Sequence, residues 1–342
     1  MSSKAAHKSW TGLSTRALAT LTGSKLSEEE RLLRKVHRLR KKLTRAESAL
    51  GEIAGERLPE GGSETQEPAV EEQEPPAEPQ EPPAPEAEAP GILDSYVSGA
   101  PSPGKAFEAF AGEWSSEIPG YGIGSIPLFN DPRVTWFIAQ CGGIEGKRVL
   151  ELGPLEGGHT YMMARAGAAH ITSIEANTRA FLKCLIVQNA LKFKADFLLG
   201  DFAAYLTDCS EVYDFAVASG VLYHMNKPVD LLRDLARTSD NIGIWTHYYD
   251  PDVILANELL RRKFDPDPQV EQLGTRQIVS HRQHYLEALQ WSGFCGGSAP
   301  TSYWLTRDSL LGALAELGFT VTVHADDKDH PNGPAMTLFA RR

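Results

Sequence analysis

From Arg148 onward the chain alternates short apolar runs with helical stretches, and few architectures accept that alternation. RVLEL (148–152), HITSIEA (170–176), ADFLLG (195–200), YDFAVAS (213–219) and NIGIWTH (241–247) read as strands. Between them, 158–167, 178–192 and 229–237 read as helices. A βαβαβ order demands a largely parallel sheet with helices on both faces, because each crossover must carry the chain back over the sheet. After a long interval come a helix, TRDSLLGALAELG (306–318), a strand, FTVTVHA (319–325), a turn around HPNGP, and a last strand, AMTLFAR (335–341). The short Gly/Pro/Asn connection predicts that these two strands pair as a hairpin. The expected fold is α/β: a doubly wound, mostly parallel seven-stranded sheet ending in an antiparallel hairpin.

The region before this alternation has a different composition. Residues 1–57 hold 13 Lys and Arg against 6 Asp and Glu. Ser27 and Glu30 form a capping-box start, and Leu32, Val36, Leu39, Leu43, Ala46, Leu50 and Ile53 recur in steps of four and three. A stripe this narrow gains little alone, so a coiled-coil helix over 27–57 that makes a homo-oligomer is expected, with a solvated basic helix as the alternative. Residues 59–90 contain nine Pro and ten Glu. Such a stretch cannot bury enough surface to offset its ordering entropy. The predicted organisation is a disordered N-terminus (1–26), the helix (27–57), a disordered linker (58–92) and a folded domain (93–342).

Much of the net charge of −11 sits in that linker, so it says little about what the folded domain binds. No apolar run approaches the ~18 residues of a membrane span. No secretory signal is recognisable. Cys141, Cys184, Cys209 and Cys295 form no CxxC pair, which predicts reduced thiols in a cytoplasmic protein.

The chemistry-bearing residues fall at the carboxyl ends of the strands, where open α/β sheets bind ligands. The first turn, VLELGPLEGGHT, supplies Gly153, Gly157 and Gly158, which tolerate left-handed backbone and let a ligand approach the main chain. The helix that follows points N–H groups at that ligand. Glu175 ends the second strand and can accept from both ribose hydroxyls of a nucleoside. Asp201 and Phe202 follow the third strand; a carboxylate can bind an adenine amine and an aromatic can cover the ring. SGVLYHM (219–225) follows the fourth.

LELGPLEGG, IEAN, GDF and YDFAVASGVLYH resemble the successive motifs of class I S-adenosylmethionine-dependent methyltransferases. GVLYH followed by Pro228 and DLL is also similar to the tRNA wobble-uridine carboxymethyltransferase branch. The resemblance implies an enzyme whose cofactor is S-adenosyl-L-methionine. Glu151 and Gly153 would hold its methionine end, Glu175 the ribose, and Asp201 with Phe202 the adenine, while 219–223, including Gly220, would lie beside the sulfonium. The family often has Gly where Leu155 stands. A Leu there is expected to need an ordinary φ, so that the loop turns differently.

Methyl transfer needs alignment more than activation, with a general base if the acceptor is a hydroxyl or amine. Tyr223, His224 and His247 are the candidates, with Tyr248 and Asp250 nearby. The interval 248–305 is too long for a plain loop and reads as a substrate lid. Its His281 and His284, spaced HxxH, could share a helix face, but no third ligand has recognisable spacing, so no metal is expected. Tyr121, between glycines, is the best contact candidate in 112–137. The expected acceptor is a small molecule, sugar or other metabolite, with a tRNA nucleotide as alternative. The competing classes are a non-catalytic nucleoside-binding module recruited through the coiled coil, and a nicotinamide oxidoreductase, which GxxxGG and the hairpin disfavour.

Overall fold

The computed structural model describes residues 96–291 and 293–342. The expected disordered N-terminus, coiled-coil helix and linker lie outside the described residues.

Seven strands form one sheet: β1 Arg148–Leu152, β2 His170–Glu175, β3 Asp196–Leu199, β4 Phe215–Ser219, β5 Asn241–His247, β9 Thr320–Asp327 and β10 Ala335–Arg341. Their order is β3-β2-β1-β4-β5-β10-β9. Pairs within β1–β5 are parallel, while β10 runs antiparallel to both β5 and β9. This is the predicted sheet with its closing hairpin. The order reverses between β2-β1 and β4-β5, which makes the tips of β1 and β4 the switch point where such sheets bind ligands.

Side chains alternate along each strand and so build two cores. On one face Leu150, Leu152, Ala216, Ala218, Met336 and Leu338 pack with helices α5 Pro228–Thr238 and α8 Arg307–Glu316. On the other, Val149, Phe215, Val217 and Phe339 meet α1 Pro132–Gln140 and α2 Gly158–Arg165. Gly243 on β5 permits this second layer: a Cβ there would stand 2.7 Å from the Phe137 ring. Helices α3 Thr178–Leu191 and α4 Phe202–Asp208 complete the crossovers. The sequence reading missed α1 and α4. The signal for α1 was present: Asp131 before Pro132 is an N-cap followed by an N1 proline, and its carboxylate accepts from the Arg133 N–H at 2.9 Å.

The interval 248–305 contains two short helices, α6 Pro251–Ala256 and α7 Glu258–Arg261. A second, three-stranded antiparallel sheet follows: β6 Gln269–Leu273, β7 Arg276–His284 and β8 Thr301–Leu305. Leu273 and Ile278 join the main core beside α8. The segment between β7 and β8 reaches the tips of the main sheet. The Asn177 amide donates to the Phe294 carbonyl at 3.5 Å, and the Tyr285 hydroxyl donates to the Gly296 carbonyl at 3.0 Å.

Candidate functional site

Glu151 points from β1 to the α2 face and is 1 % exposed. Its Oε2 accepts from the Thr160 hydroxyl and from Ser173 Oγ at 2.9 Å, whereas Oε1 has no partner among the described residues. A buried acceptor left open costs on the order of 1–3 kcal/mol unless a donor arrives. Burial raises the Glu151 pKa above its ordinary value. The site therefore fits a cationic donor such as an amino-acid ammonium. Gly153 beside it has φ +65°, and a Cβ there would lie 2.6 Å from Val221, so the two strand tips meet only because the side chain is absent.

Leu155 corrects an expectation. Its φ is +56°, the left-handed region that a glycine would occupy, so the loop keeps the turn that Leu was expected to forbid. Two hydrogen bonds and the adjoining turn over-determine it. The Leu155 N–H donates to Glu175 Oε2 at 3.0 Å, the Cys184 thiol donates to the Leu155 carbonyl at 3.5 Å, and Gly157 at φ +75° opens α2 directly behind. A β-carbon in this region costs about 1–2 kcal/mol. Leu155→Gly is therefore expected to be more stable than Leu155→Ala by about 1 kcal/mol in urea unfolding, since both lose the side chain but only Ala keeps the strain. Equal midpoints would show that the turn is unstrained.

Glu175 is buried at the tip of β2. Oε1 accepts from the Asn177 N–H at 2.9 Å and Oε2 from Leu155. Burial pushes its pKa up; the backbone donors oppose that, and the charge of Glu151 adds to it. Asp201 is exposed and caps α4, accepting from the Ala203 N–H at 2.8 Å. Phe202 is half-buried and leans on the main core. Glu151 and Glu175 thus lie at the ends of neighbouring parallel strands and Asp201 two residues beyond the end of the next, the order that the motifs predicted. Glu156, which sequence reading passed over, staples residues 115–116 onto this loop. Its carboxylate accepts from the Ser115 and Ser116 N–H groups at 3.1 and 2.7 Å and from Lys183 at 3.0 Å. Tyr121 packs instead on Phe107, with ring centroids 4.6 Å apart.

Beyond the tips of β4 and β5 the structure gathers aromatic rings. Tyr223 lies 4.1 Å from His224 and 4.7 Å from His247, centroid to centroid. Trp304 stacks on His247 at 4.9 Å, and Trp245 and His330 close the group. The His247 Nδ1–H donates to the Gly333 and Pro334 carbonyls at 2.9 and 3.1 Å, which leaves the lone pair on Nε2. The Tyr285 hydroxyl spends its hydrogen on Gly296, so His224 Nδ1 is the donor in their 2.7 Å bond, and its lone pair is likewise on Nε2. The three predicted catalytic candidates are therefore together. Burial holds both histidines neutral, with pKa values lowered to about 4. The Tyr223 phenol is pushed up by burial and stays protonated.

These shifts predict acid sensitivity. The unfolded chain binds protons on both histidines below about pH 6.5, whereas the folded chain resists until about pH 4. Stability is thus full above the unfolded value and falls through that window, by on the order of 3 kcal/mol per histidine. Urea midpoints from pH 7 to pH 4 should drop less in His247→Gln than in the parent; parallel curves would contradict the assignment.

No family model matches the chain. A tRNA U34 carboxymethyltransferase of Chromohalobacter salexigens is 25% identical over 249 residues, 65% of this chain and 70% of that protein. One from Campylobacter hominis is 32% identical over 101 residues, 29% of this chain and 34% of that protein. Among solved structures, the N-terminal domain of EvdMO1 with SAH bound superposes with a TM-score of 0.51 at 23% identity, covering 70% of this chain and 94% of that one. The chain shares the fold of that SAH-bound domain.

At two points the structure departs from the sequence reading. His281 and His284 lie on strand β7, not on a helix, so a spacing of three turns them to opposite faces. His281 stacks on Tyr249 at 3.6 Å, while His284 bonds Asp265 at 2.7 Å. The second concerns a constellation missed altogether. Asp131, Arg133 and His159 meet at the N-terminus of α1. Asp131 is 3 % exposed and binds His159 Nε2 at 2.9 Å. The His159 and Arg133 bonds hold its carboxyl well below the usual range despite its burial. Residues 28 apart in sequence carried no spacing that would have joined them.

Proposed function

We propose that this chain is an S-adenosylmethionine-dependent methyltransferase acting on a hydroxyl- or amine-bearing small molecule, sugar or other metabolite. The observation that carries the reading is the buried, open Oε1 of Glu151 beside Gly153, with Glu175 at the end of the next strand and Asp201 just beyond the end of the one after. That row suits the ammonium, ribose and adenine of one nucleoside. A structural neighbour crystallised with SAH supports it. When bound, S-adenosylmethionine supplies a methyl group already activated by its sulfonium.

The protein's part is to hold, orient and accept a proton. Glu151, Gly153 and Gly157 hold the methionine end, and Gly220, at φ +91° after β4, leaves room beside the reacting carbon. The aromatic rings fix the acceptor and exclude water, and orientation of this kind supplies much of the rate. His247 would take, at Nε2, the proton that the acceptor must lose on receiving the methyl group that S-adenosylmethionine supplies. Its neutrality at pH 7 keeps it available for that step. Tyr223 is a protonated donor between the two imidazoles. His224 ties this site to the insertion through Tyr285 and Gly296, so the segment after β7 acts as a lid over the tips of the sheet.

A tRNA acceptor is the alternative, favoured by the similarity to tRNA U34 carboxymethyltransferases. Against it, Arg262, Arg276 and Arg282 on the insertion are each paired with a carboxylate, at 3.4, 3.9 and 3.7 Å, instead of being presented to phosphates. Isothermal titration with S-adenosylhomocysteine tests the shared core of both readings. Micromolar or tighter binding is expected; absence of binding removes the enzyme assignment.

A further inference from the structure

We propose that Arg133, held by a buried Asp131–His159 pair, binds the carboxylate at the methionine end of the cofactor and makes the site select adenosyl amino acids over their decarboxylated forms. This rests on reading the strand tips as the cofactor site. Arg133 belongs to the first turn of α1, and its guanidinium lies over the Trp245 ring, 4.7 Å from the centroid. Trp245 pairs with Ser219 at the tip of β4, and its carbonyl accepts from the Gly220 N–H at 2.9 Å. A Cβ on Gly220 would stand 3.8 Å from the indole, and one on Gly153 would stand 2.6 Å from Val221. A run of neighbours thus leads from Gly153 at the tip of β1, across Val221 and Gly220, to Trp245 and Arg133. A second path reaches the same tip from α2. Asp131, which Arg133 binds, also binds His159, and the hydroxyl of the next residue, Thr160, donates to Glu151.

The orientation of the guanidinium is imposed. Nε reaches Asp131 Oδ1 and Oδ2 at 2.9 and 3.0 Å, and Nη2 reaches Oδ2 at 2.5 Å. Asp131 is itself buried, bonded to His159 and committed to capping α1, so it cannot follow the arginine elsewhere. The side-on edge of the fork is therefore occupied. The end-on edge, Nη1 and the second Nη2 hydrogen, has no protein partner among the described residues. A free guanidinium edge is matched by a planar oxyanion, which accepts two parallel bonds from it. Because Asp131 fixes the fork in advance, little side-chain freedom is lost when the anion arrives.

Glu151 supplies the complementary half. Its Oε1 is a buried acceptor without a partner, and Arg133 is a donor with an open edge. An α-amino acid carries an ammonium and a carboxylate on one carbon, and an acid and a base on either side of one strand tip receive both. A nucleoside that keeps the ammonium and lacks the carboxylate would still meet Glu151, but would bring a second cation toward Arg133 with nothing to neutralise it.

The test titrates the whole chain with S-adenosylhomocysteine and with S-adenosyl-3-thiopropylamine, the same nucleoside without its carboxylate. The wild type is expected to prefer S-adenosylhomocysteine about tenfold or more, the effect of a charge-assisted bidentate pair. Arg133→Gln should bring the two ligands within about twofold, by weakening S-adenosylhomocysteine and leaving the thiopropylamine bound no less tightly, which also certifies its fold. Arg133→Lys, which keeps the charge but not the fork, should fall between. Equal affinities in the wild type, or an undiminished preference in Arg133→Gln, would overturn the proposal. If Arg133→Gln binds neither nucleoside, Arg133→Lys decides: a reduced preference supports the assignment, and the full preference of the parent overturns it. Failure of the wild type to bind either nucleoside would instead remove the underlying methyltransferase reading.

Discussion

Glu175→Ala is expected to weaken S-adenosylhomocysteine binding about a hundredfold. Two ribose hydroxyls donating to one carboxylate make two charge-assisted bonds, each contributing about 1.5–3 kcal/mol. The carboxylate also holds Leu155 in its left-handed turn through the 3.0 Å bond from the Leu155 N–H, so the variant loses loop order as well as a ligand contact. Glu175→Gln separates the two effects. It keeps an acceptor for one backbone N–H and one hydroxyl, and should lose only about tenfold. An affinity within twofold of the parent in the Ala variant would detach Glu175 from the ribose.

His247→Ala should lower the rate of methyl transfer about 10²- to 10⁴-fold with little change in KM, the usual contribution of a positioned general base. The expectation comes from geometry before titration. Two backbone carbonyls bind Nδ1, Trp304 stacks on one face, and Nε2 alone is left to accept a proton. Single-turnover transfer from labelled S-adenosylmethionine into a metabolite extract measures the loss. Partial rescue by added imidazole distinguishes a missing base from a damaged pocket. A rate within threefold of the parent would assign His247 to packing alone. The pH profile has a definite sign. With the base neutral above its pKa of about 4, activity should be flat near neutrality and decline as the solution is acidified toward that value.

Of the seven strands of the main sheet, β1, β5 and β10 match their sequence ranges to the residue, and the others differ at their ends. Their legibility has a simple cause: β1, β4, β5 and β10 are buried on both faces, so nearly every residue must be apolar and the run stands out. The polar exceptions at the tips, Glu151 and Glu175, were conspicuous for the same reason. The insertion was harder. Its strands are half-exposed and antiparallel, so β7 reads RQIVSHRQH and carries a weak alternation that was not assigned to a strand. The HxxH spacing misled because helix and strand place residues three apart on different faces.

Leu155 shows a limit of another kind. Local sterics favour an ordinary φ for leucine, and the residue type alone supports that expectation. A hydrogen bond to Glu175 and one from Cys184, 20 and 29 residues away, decide otherwise. Arg133 and Asp131 are two residues apart and their pairing is local. That His159 joins them, and that Trp245 receives the guanidinium, follows only when α1 and α2 pack on one face of the sheet.

Periodicity and the placement of acidic residues at strand tips were sufficient to determine a wound sheet, its closing hairpin and a row of carboxylates at the ends of neighbouring strands, because these depend on neighbours along the chain and on which positions tolerate burial. The aromatic cluster was decided by tertiary structure alone. Its rings come from the turn after β4, from β5, from β8 and from the hairpin turn near Gly333, and no local rule links segments that far apart. Only the packing of the insertion against the sheet brings these rings together.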